Sequence, residues 1–133
     1  MTMRFVFPDT PVDATPGGKP FSHAEVTARG VDQGGPSFEV RVFLNNPDAG
    51  VDTPLDEQHG YAGSFHVYGF GVHKPGSSDH RTPTDYAVPA TRAVRAALKK
   101  SPTVTVTLVP RYYNRVSDAE KALQLDGVAI ATR

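Results

Sequence analysis

The sequence contains no cysteine, and this absence removes several classes of chemistry. Disulfide bonds, zinc fingers, thiol catalysis and iron–sulfur clusters all depend on cysteine sulfur. An excess of charge of either sign is also missing, because 14 Lys and Arg residues balance 14 Asp and Glu residues. Binders of nucleic acid or anionic membranes show a basic bias. We therefore expect neither nucleic acid nor membrane as a partner.

Long apolar runs are absent as well. No window approaches the roughly 20 apolar residues of a membrane-spanning helix. The first ten residues lack the apolar core of about 7–15 residues that marks a signal peptide, so the default expectation is a cytoplasmic location. The length of 133 residues suits one domain, and we predict a single domain over residues 1–133.

Glycine and proline are frequent, with 12 of each, which is typical of short strands joined by many turns. The clearest strand signal lies at residues 38–45, where apolar and polar residues alternate. The apolar side consists of Phe38, Val40, Val42 and Leu44. Phe43 interrupts the polar side, which predicts that this second face is not fully open to water.

The same patterns predict the remaining elements. Strands are expected at residues 4–7, 21–29, 62–72, 103–110 and 123–132. The first of these ends at Pro8 and is predicted to be an edge strand. One helix is expected at residues 89–100, and residues 73–88 are expected to be an irregular segment. The predicted fold is mainly β: an antiparallel β-sandwich or barrel of about six or seven strands with one short crossover helix.

Four short motifs occur in order along this pattern. They are Ser37-Phe38-Glu39-Val40, Tyr61-Ala62-Gly63-Ser64-Phe65, Val104-Thr105-Val106-Thr107-Leu108-Val109-Pro110-Arg111 and Leu125-Asp126-Gly127-Val128-Ala129-Ile130. Together they resemble the C-terminal β-domain of type-3 copper proteins, the domain that follows the copper domain in plant polyphenol oxidases and bacterial tyrosinase-like proteins. The resemblance covers residues 37–131, and residues 1–36 add N-terminal strands and a loop.

The resemblance implies a role without catalysis. A type-3 centre needs six histidines, three for each copper, whereas this chain has five: His23, His59, His66, His73 and His80. It therefore cannot hold a type-3 copper pair alone. In the family this domain shields the copper pocket or assists its maturation, in a chaperone-like manner. The resemblance thus implies a stand-alone version of this cap or a domain cut from a longer chain. In either case it implies a binding or capping module without a cofactor of its own, whose protein partner is a type-3 copper oxidase or another protein.

Aromatic residues suggest where such a partner would bind. His66, Tyr68 and Phe70 share one face of the predicted strand, and Tyr112 and Tyr113 follow the Val-Pro-Arg motif. Packing of these side chains within the sheet is one interpretation. The other is a binding surface, since exposed aromatic residues at this density need a cover.

A second hypothesis is a small metal-binding protein or enzyme that uses a β-barrel pocket. His59, His66, His73 and His80 follow one another at intervals of seven residues. On an unbroken strand an odd interval places side chains on opposite faces, but a bulge at a glycine would bring them together. The alternative site consists of His66, His73 and His80, with copper as the metal. A third hypothesis is a homodimer formed through edge strands.

Overall fold

Seven strands and one α-helix form the part of the chain that this computed structural model describes, namely residues 4–13, 21–32, 37–67, 83–112 and 123–133. The elements are β1 (Phe5–Asp13), β2 (Ala24–Val31), β3 (Phe38–Leu44), β4 (Tyr61–Val67), β5 (Thr84–Pro89), α1 (Thr91–Leu98), β6 (Thr103–Tyr112) and β7 (Gly127–Thr132). A 3₁₀ turn, Glu57–His59, precedes β4.

The strands form one sheet in the order β4-β3-β6-β1-β7-β2-β5. Neighbouring strands are antiparallel except β1 and β7, which run parallel, with Val12 opposite Ile130. The two edge strands, β4 and β5, approach each other, because the rings of Phe65 and Tyr86 stack between them. The sheet is therefore nearly closed into a barrel, and the predicted mainly-β fold with one helix is confirmed.

The first strand is not the edge strand that its proline suggested. β1 lies between β6 and β7 and continues to Asp13. The register shifts between Phe7 and Thr10, and Asp9 takes a positive φ of 53°. Pro8 falls within this irregularity, and bulges are positions where a strand tolerates a residue that has no N–H to donate. The edge prediction was wrong because sequence shows the proline but not the bulge.

The main core fills the inside of the sheet. Alternation on β3 and β6 places the expected side chains there: Phe38, Val40, Val42, Leu44, Val104, Val106 and Leu108 are all buried. Helix α1 adds Val94 and Ala97 to this core. The helix lies within the predicted range, but Pro89 ends β5 instead of opening the helix. Among the described helices, none is long and apolar enough to cross a membrane.

A second, smaller core lies on the outer face of β3 and β6. Phe43, Ala49 and Val109 are fully buried there, and Tyr61 packs against them. The segment 45–60 covers this face. Its hydrogen bonds to neighbouring elements include Arg4 Nε to Ala49 O (3.0 Å), Arg41 Nη1 to Val51 O (3.0 Å) and Thr107 Oγ1 to Asn46 O (2.9 Å). The prediction that the Phe43 face is shielded from water is confirmed.

One strand was not predicted. All of β5 except its last residue, Pro89, falls within residues 73–88, which were expected to be irregular. Thr84, Tyr86 and Val88 alternate with Asp85 and Ala87, which is a strand pattern, but the run is short and has a proline on each side. The strand forms because it pairs with β2 along its length.

Candidate functional site

The outer face of β4, β3 and β6 carries a row of polar residues. His66 on β4 lies opposite Glu39 on β3, and Glu39 lies opposite Arg111 on β6. The row faces outward because the neighbouring residues of β3, Phe38 and Val40, point into the core. His66 is exposed, so it does not pack between sheet layers.

An ion pair joins Glu39 of this row to Arg41 on the same strand. Arg41 Nε donates to Glu39 Oε1 at 2.9 Å, and both side chains are mostly buried, with 14% and 16% of their surface exposed. The Arg111 guanidinium lies farther away, at 4.0 Å from the same oxygen, and is 54% exposed. Arg41 also donates to the carbonyl of Val51. The face therefore presents Arg111 and His66 beside the Glu39–Arg41 pair, whose side chains are held by hydrogen bonds.

The predicted binding surface is only partly within the described residues. His66 lies near the end of β4, and Tyr112, the last residue of β6, is the register partner of Phe38. Phe38 is also the register partner of Val67. The last residues of β4 and β6 therefore lie level with each other, on either side of the first residue of β3. Tyr68, Phe70 and Tyr113 lie outside the described residues. The surface as a whole stays a prediction.

The predicted metal site is also only partly within the described residues. His66 is described, whereas His73 and His80 are not. Within residues 4–13, 21–32, 37–67, 83–112 and 123–133, no group of three or more His, Asp or Glu side chains is arranged to hold a metal ion. The copper alternative therefore remains a prediction that binding measurements must test.

His59, the first histidine of the seven-residue series, has a local partner instead. Its ring Nδ1 lies 2.6 Å from Asp56 Oδ1, and its backbone N–H donates to the same oxygen at 2.9 Å. Asp56 is the N-cap of the 3₁₀ turn. The hydrogen bond from the His59 side chain is the main cause that holds the pKa of Asp56 below its ordinary value of 3.8.

A cleft of about 590 Å³ lies between α1 and the segment 44–61. Its helix side carries Arg92, Arg95, Lys99 and Lys100, and its opposite wall includes Glu57, Gln58, His59 and Tyr61. The sequence reasoning missed this cleft because its two walls are more than thirty residues apart in the chain. The available signal was charge: no acidic residue occurs between Asp85 and Asp118.

Comparison with known proteins supports the fold. No protein-family model matches the chain, and no curated protein matches it by sequence. Solved structures do match: a latent aurone synthase (polyphenol oxidase) from natural source gives a TM-score of 0.58 at 19% identity over 97% of this chain. A recombinantly expressed latent aurone synthase (polyphenol oxidase) gives 0.56 at 20% identity over 98%.

Both matches involve only part of the larger protein. This chain spans 24% of each solved chain, about a quarter of its length. At such low identity the likeness establishes the fold alone. The fold is that of a β-domain contained within polyphenol oxidases, and the resemblance that the four motifs predicted is confirmed at this level.

Proposed function

We propose that this chain is a non-catalytic capping module that binds a type-3 copper oxidase or another protein partner. The observation that carries the proposal is the extent of the structural match: 97–98% of the chain matches about a quarter of enzymes that are described as latent. The four sequence motifs implied a domain that shields a copper pocket. Nearly all of the matched sequence follows this fold, and a domain of this fold is suited to shield a copper pocket.

The outer face of β4, β3 and β6 supports the proposal as its binding surface. Arg111 and His66 are exposed there, and arginine is enriched among the residues that dominate protein interfaces. The Glu39–Arg41 pair on the same face holds its own two side chains in place, and this preorganisation reduces the side-chain entropy that binding would cost. The partner would meet this face together with the aromatic segments that follow β4 and β6 in sequence.

The test is inhibition of an oxidase. The purified chain is titrated into a copper-loaded type-3 oxidase from the same organism, and the initial rate of catechol oxidation is measured beside complex formation by light scattering. We expect saturable inhibition at a one-to-one ratio. A double variant, His66→Ala with Arg111→Ala, should weaken the inhibition at least tenfold. Arg29→Ala, which removes an exposed arginine on β2, is the matched control and should inhibit normally.

Two outcomes would contradict the proposal. One is an unchanged oxidation rate together with no complex at about 100 μM chain, a concentration that reveals even weak specific association. The other is inhibition that persists in the double variant, which would move the contact away from this face. Capture of a partner that holds no copper would support a role as a binding module but would contradict a type-3 copper oxidase as the partner.

A further inference from the structure

The cleft between α1 and the segment 44–61 is not used by the proposed capping face. Its volume of about 590 Å³ falls within the range of roughly 300–1,000 Å³ that is typical of ligand sites. Small side chains make part of its helix side, where Ala93, Ala96 and Ala97 leave the space open. Leu44 and Tyr61 add apolar surface on the opposite side.

Charge in this cleft is strongly one-sided. Four basic residues line it against one carboxylate, that of Glu57. The chain as a whole has no net charge, so basic and acidic side chains are unevenly distributed and the cleft carries an excess of basic ones. Between Asp85 and Asp118 the sequence contains six basic residues and no acidic one. The cleft therefore has an electrostatic preference for an anion.

Helix stability does not explain all of these cations. Lys99 and Lys100 follow the helix, where its dipole favours positive charge. Arg92, however, lies in the first turn, where the dipole disfavours a cation and where α1 has no acidic residue. The N-cap residue Ala90 provides no side-chain hydrogen bond either. An arginine at this position weakens the helix slightly, so its presence indicates another use.

The bonds that the cations already make leave them available. Arg92 Nη2 contacts Glu57 Oε1 at 2.8 Å, but the two side chains are 85% and 68% exposed, and such pairs contribute only about 0–1 kcal/mol. Arg95 donates to the carbonyl of Phe21 at 2.6 Å, which orients the guanidinium without neutralising it. Lys99 and Lys100 have no ion-pair partner among the described residues.

The spacing of the cations indicates the shape of the anion. Arg92 and Lys99 are seven residues apart on a helix, which corresponds to about 11 Å along its axis. A single phosphate would contact both only if the two long side chains converged on it, whereas an extended peptide covers this backbone distance with about three residues. We propose that the cleft binds an acidic peptide segment of a partner protein, whose carboxylates replace Glu57 at Arg92 and reach Lys99 and Lys100. This inference rests on the proposed function for the existence of a partner.

The test uses the isolated chain without any oxidase, so the two proposals can fail separately. An acetylated and amidated hexaglutamate peptide is titrated into the labelled protein, and backbone amide shifts are followed by NMR. Hexaglutamine is the neutral control peptide and inorganic phosphate is the small-anion control. We expect saturable shifts for hexaglutamate only, centred on residues 92–100 and 57–61, with an affinity that falls as salt is raised.

Charge-removing variants test whether the residues of the cleft bind the peptide. Lys99→Gln with Lys100→Gln should weaken hexaglutamate binding at least tenfold, whereas Arg29→Gln with Arg133→Gln, an equal charge change outside the cleft, should alter it less than twofold. Glu57→Gln should tighten binding two- to fivefold because it removes the competing carboxylate, and Asp52→Asn is its matched control on the same segment. Equal weakening by both basic double variants, shifts outside the cleft, or phosphate binding as tight as that of the peptide would each overturn the proposal.

Discussion

Phe65 of β4 and Tyr86 of β5 stack nearly parallel across the two edges of the sheet, with ring centroids 4.9 Å apart and an interplanar angle of 15°. Neither strand is the ladder partner of the other, since β4 pairs with β3 and β5 pairs with β2. Within the part of the chain that the structure describes, side chains and not backbone hydrogen bonds therefore hold the barrel near closure.

Truncation of Phe65 should consequently be costly. Phe65 is 7% exposed, and removal of a buried phenylalanine ring typically costs about 3–5 kcal/mol. We expect Phe65→Ala to lower the free energy of unfolding, measured by urea denaturation, by about 3 kcal/mol. Val6→Ala, at a side chain that is 39% exposed, is the control and should change it by less than about 0.5 kcal/mol. A loss below about 1 kcal/mol for Phe65→Ala would show that the stack does not support closure.

Substitution of Gly63, which lies where β4 approaches β5, should destabilise the protein. Its φ is 142°, and a Cβ atom at this position would lie 2.6 Å from Cγ1 of Val88. Strain and overlap both act here, and we expect Gly63→Ala to lower the thermal midpoint and to cost about 2–3 kcal/mol. Gly127→Ala is the matched control, because no atom of the described residues other than its two chain neighbours lies within 4 Å of its added Cβ. If both substitutions had equal effects, the close approach of β4 and β5 at Val88 would be refuted.

Thr107 should be more sensitive than the other threonines of β6. Its side chain is fully buried, and its hydroxyl donates to the carbonyl of Asn46 at 2.9 Å. Thr107→Val leaves that carbonyl without this donor, so we expect a loss of about 1–2 kcal/mol in chemical denaturation. Thr105→Val removes a hydroxyl two residues earlier and serves as the control, with a change below about 0.5 kcal/mol. Equal losses would mean that the hydroxyl of Thr107 does not anchor the segment 45–60.

Acid should weaken the turn at Asp56. The pKa of Asp56 is lowered from 3.8, mainly by the hydrogen bond from the His59 side chain. Because the folded pKa is lower than the unfolded one, this contribution to stability is present above about pH 3.8 and is lost as pH falls through the folded value. In a carboxyl-detected NMR titration, His59→Ala should raise the midpoint of Asp56. His66→Ala should leave it unchanged, and a midpoint that does not move in His59→Ala would contradict the assignment.

Local alternation carried much of the fold prediction. On β3 and β6 every side chain that was assigned to the core is buried, because a half-buried strand imposes a period of two on its own residues. The position of β1 could not be inferred in this way, since the bulge at Asp9 that accommodates Pro8 depends on pairing with β6 and β7. The same holds for the parallel contact of Val12 with Ile130, which joins residues from opposite ends of the chain.

In the candidate sites too, the features set by local alternation were predictable from sequence and those set by long-range pairing were not. Alternation placed His66 on the face opposite Phe65, and the structure leaves it exposed there. Its neighbours Glu39 and Arg111 come from two other strands, so their row depends on register that no single segment encodes. The cationic cleft likewise needs α1 to lie against a loop that is distant in sequence.

The acidic segment before β4 reads in the sequence as a spacer between two strands, but its place in the structure makes it indispensable. Ala49 lies over Phe43 and Val109, and nothing else among the described residues joins that cluster except Tyr61. A variant that shortened the segment would expose apolar surface on the outer face of β3 and β6. Such a variant would be expected to self-associate, so insertions and deletions should be far less acceptable here than the polar composition suggests.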